Sequence, residues 1–404
     1  MKKIFRSRPI MTEETHRATS FEIFFDLVFV FALTRIISFM GRPPTFLTMA
    51  QGLVLLLLLW MAWTNYTWLG NLVRADVGLV PAGTIVAMAA IFVTALVIPN
   101  AWRHGNGIVD APVILALAYI VQRVLHLALT FHVAAGDRQL RTTLRLYTTT
   151  AILAGIPLLL GATFHGTAQT LLWAGAFAIE FSGGVIASAL SGWRLRSPSH
   201  FTERHGLVLI IALGESLISA GTGAELAVTR GPVLLAALLA FTNAVCLWRL
   251  YFKNTAIVAG HALETVPSAQ RGRLATNAYS LAHFPLIAGV IYTALGIEQV
   301  LAHLAHGRPW HTTPPLDWAS TVALYGGVIL YCAGRVLFLR PTGQSTPRAQ
   351  IVATCVVLLL LPAARSLPAL AALGLLTAFL VALASYELVS GGPRNPMAGK
   401  VTPS

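Results

Sequence analysis

Long runs of apolar residues, separated by short polar connections, dominate the sequence. A helix needs about 20 mostly apolar residues to cross the hydrocarbon core of a bilayer. Twelve runs are of this kind, at residues 20–40, 49–69, 77–98, 112–133, 146–164, 167–189, 206–223, 232–252, 277–302, 319–339, 349–364 and 368–390. The pattern predicts an all-α polytopic membrane protein with about twelve transmembrane helices.

The composition agrees with a chain that faces lipid. Charged residues make up 11% of the 404 residues, whereas a soluble domain carries about 25%. A net charge of +13 indicates nucleic-acid binding only in a soluble protein, so no nucleic-acid partner is expected here. Cys246, Cys332 and Cys355 lie in apolar runs and no C-x-x-C is present, which argues against disulfides and a cysteine zinc site.

The basic residues predict how the chain is oriented, because cytoplasmic loops are enriched in Lys and Arg. With the N-terminus inside, nineteen basic residues fall on the inner side and five on the outer side. The inner set is Lys2, Lys3, Arg6, Arg8, Arg17, Arg74, Arg138, Arg141, Arg145, Arg194, Arg196, Arg204, Lys253, Arg271, Arg273, Arg340, Arg348, Arg394 and Lys400. The outer set is Arg42, Arg103, Arg230, Arg308 and Arg365. We therefore expect both termini to be cytoplasmic and the inner face to contact anionic lipids.

Five short matches between the two halves of the chain indicate an internal duplication. They occur in the same order in both halves. The pairs are LVFVFAL (27–33) with LVLIIAL (207–213), WTN (63–65) with FTN (241–243), YIVQRVL (119–125) with YCAGRVL (331–337), Pro157 with Pro362, and EFSGG (180–184) with ELVSGG (387–392). Since six is even, two six-helix repeats would enter the membrane in the same direction, related by a pseudo-twofold axis along the membrane normal.

The duplication divides the chain into five predicted parts. Residues 1–19 include Glu13 and Glu14 and no cleavage site follows the first apolar run, so they are expected to be a cytoplasmic tail rather than a signal peptide. The remaining parts are a first repeat at 20–192, a cytoplasmic linker at 193–205, a second repeat at 206–390 and a cytoplasmic tail at 391–404.

Two acidic residues in the first span are candidates for an ion or substrate pathway. Glu22 and Asp26 are four residues apart and so share a helix face. That face can carry a cation or proton site. Alternatively, only Asp26 is immersed in the membrane, where it accepts a hydrogen bond from a neighbouring Arg, Trp or Asn and locks the bundle.

A further candidate pair lies on the leading helices of the two halves. Arg35 and Glu215 are equivalent under the offset of 180 residues. We expect them at similar depth, where they can form an ion pair across the axis. Such a pair acts either as a gate that opens when it breaks or as a fixed clasp.

The other ionisable and polar candidates occur largely in repeat-related positions. Arg123 and Arg335 each follow a tyrosine by four residues, and His126 lies one turn beyond Arg123. All three are assigned to the pathway, with packing as the alternative for the histidine. Residues assigned to structural or secondary roles are Asn65, Glu180, Asn243, His283, Glu298 and Glu387. His283 precedes Phe284-Pro285, where a kinked helix can open a polar spot.

Motifs for soluble chemistry are missing from the sequence. There is no P-loop, no H-E-x-x-H and no EF-hand loop, and G-E-S-L-I at 214–218 lacks the last glycine of a nucleophile elbow. The longest predicted loop is only about 24 residues, at 253–276. We expect no enzyme activity, no cofactor and no metal.

Two segments resemble the signature stretches of the bacterial low temperature requirement protein A (LtrA) family. They are F-E-I-F-F-D-L-V-F-V-F-A-L-T-R-I (21–36) and E-R-H-G-L-V-L-I-I-A-L-G-E-S-L-I-S (203–219). The resemblance spans residues 15–390 and implies a polytopic protein of the bacterial inner membrane. The polar residues of the family signature then correspond to Glu22, Asp26, Glu203, Arg204, Gly214 and Glu215.

A second stretch, F-F-D-L-V-F at 24–29, is similar to the F-S-D-x-V-F opening of a two-repeat family of potassium and proton channels. Phe25 replaces the serine, and Gly206 replaces the aspartate of the second repeat. The duplication and the charges favour a transporter or channel for an ion or small solute. The alternatives are a sensor or scaffold that supports growth in the cold and an enzyme acting on a lipid-linked substrate.

Overall fold

The computed structural model describes residues 9–105, 107–190, 193–224, 227, 229–305, 314–342 and 348–390. The predicted C-terminal tail, part of the N-terminal tail and Arg308 lie outside these residues. Within them the chain is helical, with two isolated β-bridges, Met11 to Val73 and Pro315 to Pro368, and no strand.

Among the described residues, eleven helices are long and apolar enough to cross a membrane, and a twelfth is apolar but shorter. We number them α1 (Ser20–Met40), α2 (Phe46–Leu72), α3 (Val80–Asn100), α4 (Ala111–Gly136), α5 (Arg138–Gly161), α6 (Gly166–Ala189), α7 (Pro198–Ala224), α8 (Gly231–Thr265), α9 (Ser268–Ala305), α10 (Trp318–Thr342), α11 (Arg348–Ala364, the shorter one) and α12 (Ala369–Ser390). Each helix overlaps one predicted span, which agrees with the predicted all-helical multi-pass architecture.

Polar residues determine where several helices begin. Thr19 and Thr45 are the N-caps of α1 and α2, and each forms a capping box in which its side chain accepts a hydrogen bond from a backbone N–H in the first turn. Asp137 caps α5 in a similar way through Leu140. These caps satisfy donors that would otherwise be unpaired at the helix ends.

Two parts of the chain that were predicted to be connections are helical. α7 begins at Pro198 rather than at residue 206, so it includes Arg204. The stretch 253–276 is not a loop, because α8 and α9 both extend into it and are interrupted only at Val266 and Pro267. Hydropathy misses such extensions because helices continue past the apolar core wherever their polar residues find partners.

The same helix contacts recur in the two halves of the chain. In the first half, α1 packs on α2 and α3, α3 on α4, α4 on α5, and α6 on α2 and α5. In the second half, α7 packs on α8 and α9, α9 on α10, α10 on α11, and α12 on α8 and α11. The halves meet where α1 and α2 pack against α7 and α9.

Small residues allow α9 and α10 to approach closely. A Cβ at Gly327 would lie 2.5 Å from the backbone nitrogen of Thr293, and a Cβ at Gly289 would lie 2.6 Å from the carbonyl oxygen of Gly327. Such contacts are characteristic of membrane helices that pack through glycine. They position the central helix of the second half against its neighbour.

Candidate functional site

Asp26 is held in a complete set of hydrogen bonds where the two halves meet. Arg204 in α7 donates to both of its carboxylate oxygens, with Nη1 2.9 Å from Oδ2 and Nη2 2.9 Å from Oδ1. The indole Nε1 of Trp63 in α2 donates to Oδ1 at 2.9 Å. Asp26 is fully buried and Arg204 almost so. The arrangement joins α1, α2 and α7 and matches the locking role that was the alternative reading of Asp26.

Glu22 lies one turn before Asp26 and is also buried between the halves. Its Oε2 accepts hydrogen bonds from the backbone and hydroxyl of Thr19, and its Oε1 lies 2.8 Å from Nε2 of His200 in α7. Nδ1 of His200 lies 3.4 Å from the amide nitrogen of Asn71 in α2. Each carboxylate oxygen therefore has a partner from the protein.

Around Glu22 lies a group of side chains of the types that can bind a metal ion. Among the described residues, His16, Glu22 and His200 each offer a ligand atom, and these atoms lie within 4.8 Å of one another. The hydrogen bonds of Glu22 and His200 account for their positions without an ion. The sequence-based expectation of no metal site stays a prediction.

The segment before α1 is packed against the bundle over the residues described. The hydroxyl of Thr12 donates to the carbonyl oxygen of Gly70 at 3.0 Å, and the backbone nitrogen of Ala18 donates to Glu203 at 3.0 Å. Residues 9–19 therefore connect the ends of α2 and α7, which brings His16 beside Glu22.

Glu215 is fully buried in α7, and none of the ion pairs among the described residues includes it. Its Oε2 accepts a 2.8 Å hydrogen bond from the hydroxyl of Thr34 in α1. Its Oε1 is buried and makes no hydrogen bond with the described residues. Ser219, one turn further along α7, and Glu298 in α9 are further polar neighbours of the carboxylate. Glu215 is thus a carboxylate between the two halves that no Arg or Lys of the described residues neutralises.

The expected ion pair between Arg35 and Glu215 is not formed. No described basic side chain lies within 4.0 Å of the Glu215 carboxylate, and Nε of Arg35 is buried without a hydrogen-bond partner. The guanidinium of Arg35 lies 5.9 Å from the ring centre of Phe31 instead. The sequence offset between the repeats predicts that two matched residues lie at equal depth in the membrane, but it does not predict the direction of their side chains. Residues 34 and 35 point about 100° apart around the helix axis. Thr34, not Arg35, faces Glu215.

Arg123 and Glu180 form a buried ion pair between α4 and α6. The hydroxyl of Tyr119 donates to Glu180 at 2.9 Å, and the guanidinium of Arg123 lies 4.4 Å from the ring centre of Tyr147. Nη1 of Arg123 also lies 2.8 Å from Nδ1 of His126. His126 therefore accepts a bond from a cation and belongs to this network.

The second half contains the equivalent pair. Arg335 in α10 donates to both carboxylate oxygens of Glu387 in α12, at 2.9 and 2.8 Å. Its Nε donates to Thr255 at 3.0 Å, and Asn254 donates to Glu387 at 2.8 Å. The residues that the two sequence matches align thus make corresponding contacts within each half.

His283 lies in an aromatic cluster rather than in a polar opening. Its Nε2 is 2.9 Å from the hydroxyl of Tyr251, and its ring stacks on Trp60 with an interplanar angle of 12°. His205 contacts it edge-on, with the ring centres 5.3 Å apart. The expected polar spot before Phe284-Pro285 is filled by aromatic side chains.

The matched asparagines make different contacts. Oδ1 of Asn65 accepts a 2.7 Å bond from Tyr147 in α5, whereas Nδ2 of Asn243 donates at 2.6 Å to Thr377 in α12. Glu298 is half-buried in α9, near Gly41 at the end of α1. These three residues hold helices together or lie beside the Glu215 region.

Sequence reasoning missed four partners of the buried acids: Trp63, His200, Arg204 and Thr34. Arg204 and His200 were assigned to a loop because the polar start of α7 lowers its hydropathy. Trp63 was considered as part of the W-T-N match between the halves. The signal that marks Arg204 is its place in the E-R-H-G segment, whose other residues lie on the same buried helix.

The comparisons with known proteins agree with the signature segments. The model of the bacterial low temperature requirement A protein (LtrA) family matches residues 17–385. The uncharacterized protein RA0937 of Rhizobium meliloti (strain 1021) is 26% identical over 350 residues, which are 84% of this chain and 81% of that protein. No solved structure matches the chain. Since the family match covers most of the chain and both segments that contact each other through Asp26 and Arg204, the chain belongs to the bacterial LtrA family.

Proposed function

We propose that this protein is a membrane transporter or channel for an ion or small solute, with a cation site at Glu215 between the two halves. The proposal is supported by the burial of the Glu215 carboxylate and by its lack of partners among the described residues. Glu215 is fully buried, one oxygen makes no hydrogen bond with the described residues, and no described basic side chain lies within 4.0 Å.

The contrast with the other buried acids sharpens the argument. A charge at mid-bilayer costs at least about 2.5 kcal/mol, so it persists when it is paired, hydrated or useful. Asp26, Glu180 and Glu387 are each paired with an arginine. Glu215 has no such partner in the part of the chain that the structure describes, and Glu298 is a second acidic group nearby. A cation or a proton would satisfy this site.

The two halves are proposed to be tandem six-helix repeats related by a pseudo-twofold axis along the membrane normal. The shared pattern of helix contacts and the corresponding Arg123–Glu180 and Arg335–Glu387 pairs support this arrangement. In proteins of this kind the pathway runs between the repeats. Glu215 and Thr34 lie at such a boundary.

The proposal places the protein in the bacterial inner membrane with both termini in the cytoplasm. The excess of basic residues on one side supports this orientation. Membrane lipids are the surrounding partners, and neither a cofactor nor a nucleic acid enters the proposal. It assigns no chemical reaction to the chain.

Flux measurements test the proposal. Purified protein is reconstituted in liposomes, and the uptake of sodium, potassium, protons and small solutes is measured under imposed gradients. Wild type is expected to move at least one of them, and Glu215→Gln to slow it by tenfold or more. Asp26→Asn serves as a comparison for structural damage. The absence of flux for every ion and solute would overturn the proposal.

The second candidate is a scaffold or sensor that transports nothing, which the three buried or largely buried Arg–carboxylate pairs favour. Such pairs hold helices in fixed positions. If the protein is a scaffold or sensor, wild type shows no flux, and Glu215→Gln changes only the thermal stability in detergent. The same reconstituted samples therefore separate the two candidates.

A further inference from the structure

A small cavity lies on the first-half side of the boundary between the halves. Its volume is about 60 Å³. It is partly open and is lined by residues of α2, α4, α5 and α6, by Trp193 in the connection after α6 and, from the second half, by the start of α9. Several water molecules would fit, since a water needs roughly 10–15 Å³ of such space.

Two unsatisfied polar groups line the cavity. The hydroxyl of Thr64 and the amide nitrogen of Asn65 are buried and have no hydrogen-bond partner among the described residues. Both side chains are more than nine-tenths buried. The Oδ1 atom of Asn65 is occupied by Tyr147, which fixes the amide so that Nδ2 remains free to donate. A buried donor without a partner is costly, so the cavity calls for an acceptor.

The rest of the cavity lining is uncharged, which disfavours a charged ligand. None of the lining residues is Asp, Glu, Lys or Arg. His126 lines the cavity too, and its Nδ1 lies 2.8 Å from the guanidinium of Arg123. A guanidinium can only donate, so Nδ1 accepts from it, and the imidazole adds no positive charge to the lining. Trp68 and Trp193 provide aromatic walls.

We propose that this cavity binds a small uncharged polar solute of about five heavy atoms, with a carbonyl or hydroxyl oxygen that accepts from Asn65 and Thr64. An amide or a short polyol has this chemistry. The inference rests on the proposed function in one respect, because it names a class of solute that would cross the membrane. Binding of that solute in the cavity does not depend on flux through Glu215.

Acrylamide is a suitable probe, because it is an uncharged amide of this size and quenches tryptophan fluorescence on contact. Quenching is measured on the full chain in detergent without any gradient, with caesium as a charged quencher. Acrylamide is expected to quench a component of the emission that caesium leaves unchanged. That component is assigned to Trp68 and Trp193.

Two variants show whether the quenched component belongs to the cavity. Gly184 lines it, and a Cβ there meets only Tyr147 at 3.6 Å, so Gly184→Leu fills the space. Gly175→Leu is the matched control, because nothing lies within 4 Å of its Cβ. We expect the acrylamide-specific component to vanish in the first variant and to persist in the second. If Gly184→Leu fails to fold, Gly184→Ala provides the same test, with a smaller expected loss of the acrylamide-specific component.

The polar contact is tested with the repeat-related threonines. Thr64→Val removes the unpartnered hydroxyl, whereas Thr242→Val changes a half-buried residue outside the cavity whose hydroxyl bonds to the Leu238 carbonyl. We expect the quenching constant to fall at least twofold for Thr64→Val alone. Equal quenching in wild type and the Gly184 variants would mean that the cavity holds water only, and would overturn the inference. That result would leave cation flux through Glu215 untouched, so the two failures are distinguishable.

Discussion

Asp26 in α1 and Arg204 in α7 form a two-bond ion pair, with both N–O distances 2.9 Å, that joins the leading helices of the two halves. Removing one partner of a buried pair costs about 3–5 kcal/mol, because the other charge is left uncompensated. Asp26→Asn and Arg204→Met are therefore each expected to lower the Tm in detergent by roughly 5 °C or more. Thermal unfolding followed by intrinsic fluorescence measures the effect.

An exposed pair provides the control for that measurement. Arg74 donates to Asp76 at 2.7 Å in the connection after α2, and this hydrogen bond lowers the pKa of the Asp76 carboxyl. Arg74→Met is expected to leave the Tm unchanged, since exposed ion pairs contribute little. A double variant, Asp26→Leu with Arg204→Met, should recover part of the loss, because it leaves no unpaired charge. Equal effects of the buried and exposed changes would argue against a clasp.

The corresponding pairs Arg123–Glu180 and Arg335–Glu387 are expected to be structural in both halves. The first is buried and the second largely so, and both connect the fourth helix of a half with its sixth. Glu180→Gln and Glu387→Gln should each lower the Tm, and the protein that remains folded should keep its flux. A variant that keeps the wild-type Tm and loses flux would instead place its pair in the pathway.

The glycines between α9 and α10 offer a test of packing. A Cβ at Gly327 would lie 2.5 Å from the backbone of Thr293, whereas nothing lies within 4 Å of a Cβ at Gly374 in α12. Gly327→Ala must push the helices apart and is expected to lower the Tm by several degrees. Gly374→Ala should have no effect. If both variants keep the wild-type Tm, close packing at Gly327 is contradicted.

The proposed orientation can be measured by cysteine labelling of intact cells with an impermeant maleimide. In a variant whose three cysteines are replaced by alanine, single cysteines are introduced at exposed positions in different connections. Ile108→Cys and Ser366→Cys should be labelled, and Thr15→Cys and Thr265→Cys should be labelled only after lysis. The reverse pattern would invert the topology, and labelling of Ile108 without Ser366 would show that α11 does not cross.

Hydropathy and the repeat predicted the helices because both signals are carried along the chain. Eleven of the twelve predicted spans are helices long enough to cross a membrane and the twelfth is a shorter apolar helix, and the aligned arginines and glutamates pair within their halves. What sequence could not provide was rotation about the helix axis. Thr34 rather than Arg35 faces Glu215, although the two positions differ by a single residue.

Helix ends were the second weakness of the sequence reasoning. Arg204 and His200 lie in a polar stretch that hydropathy assigns to a loop, yet both are buried in α7. Their partners, Asp26 and Glu22, are distant in sequence, so no local pattern shows that the polar residues are neutralised. Only the packing of α1 against α7 brings these four side chains together.

The central claim is that Glu215 binds a cation between the halves, and the most direct measurement is cation flux in liposomes that contain wild type or Glu215→Gln. Glu264→Gln, at an exposed residue of α8, is the matched control. The account predicts that the Glu215 variant keeps its fold by fluorescence and loses at least nine-tenths of the flux, while the control keeps its flux. Unchanged flux in a folded Glu215→Gln protein would contradict it.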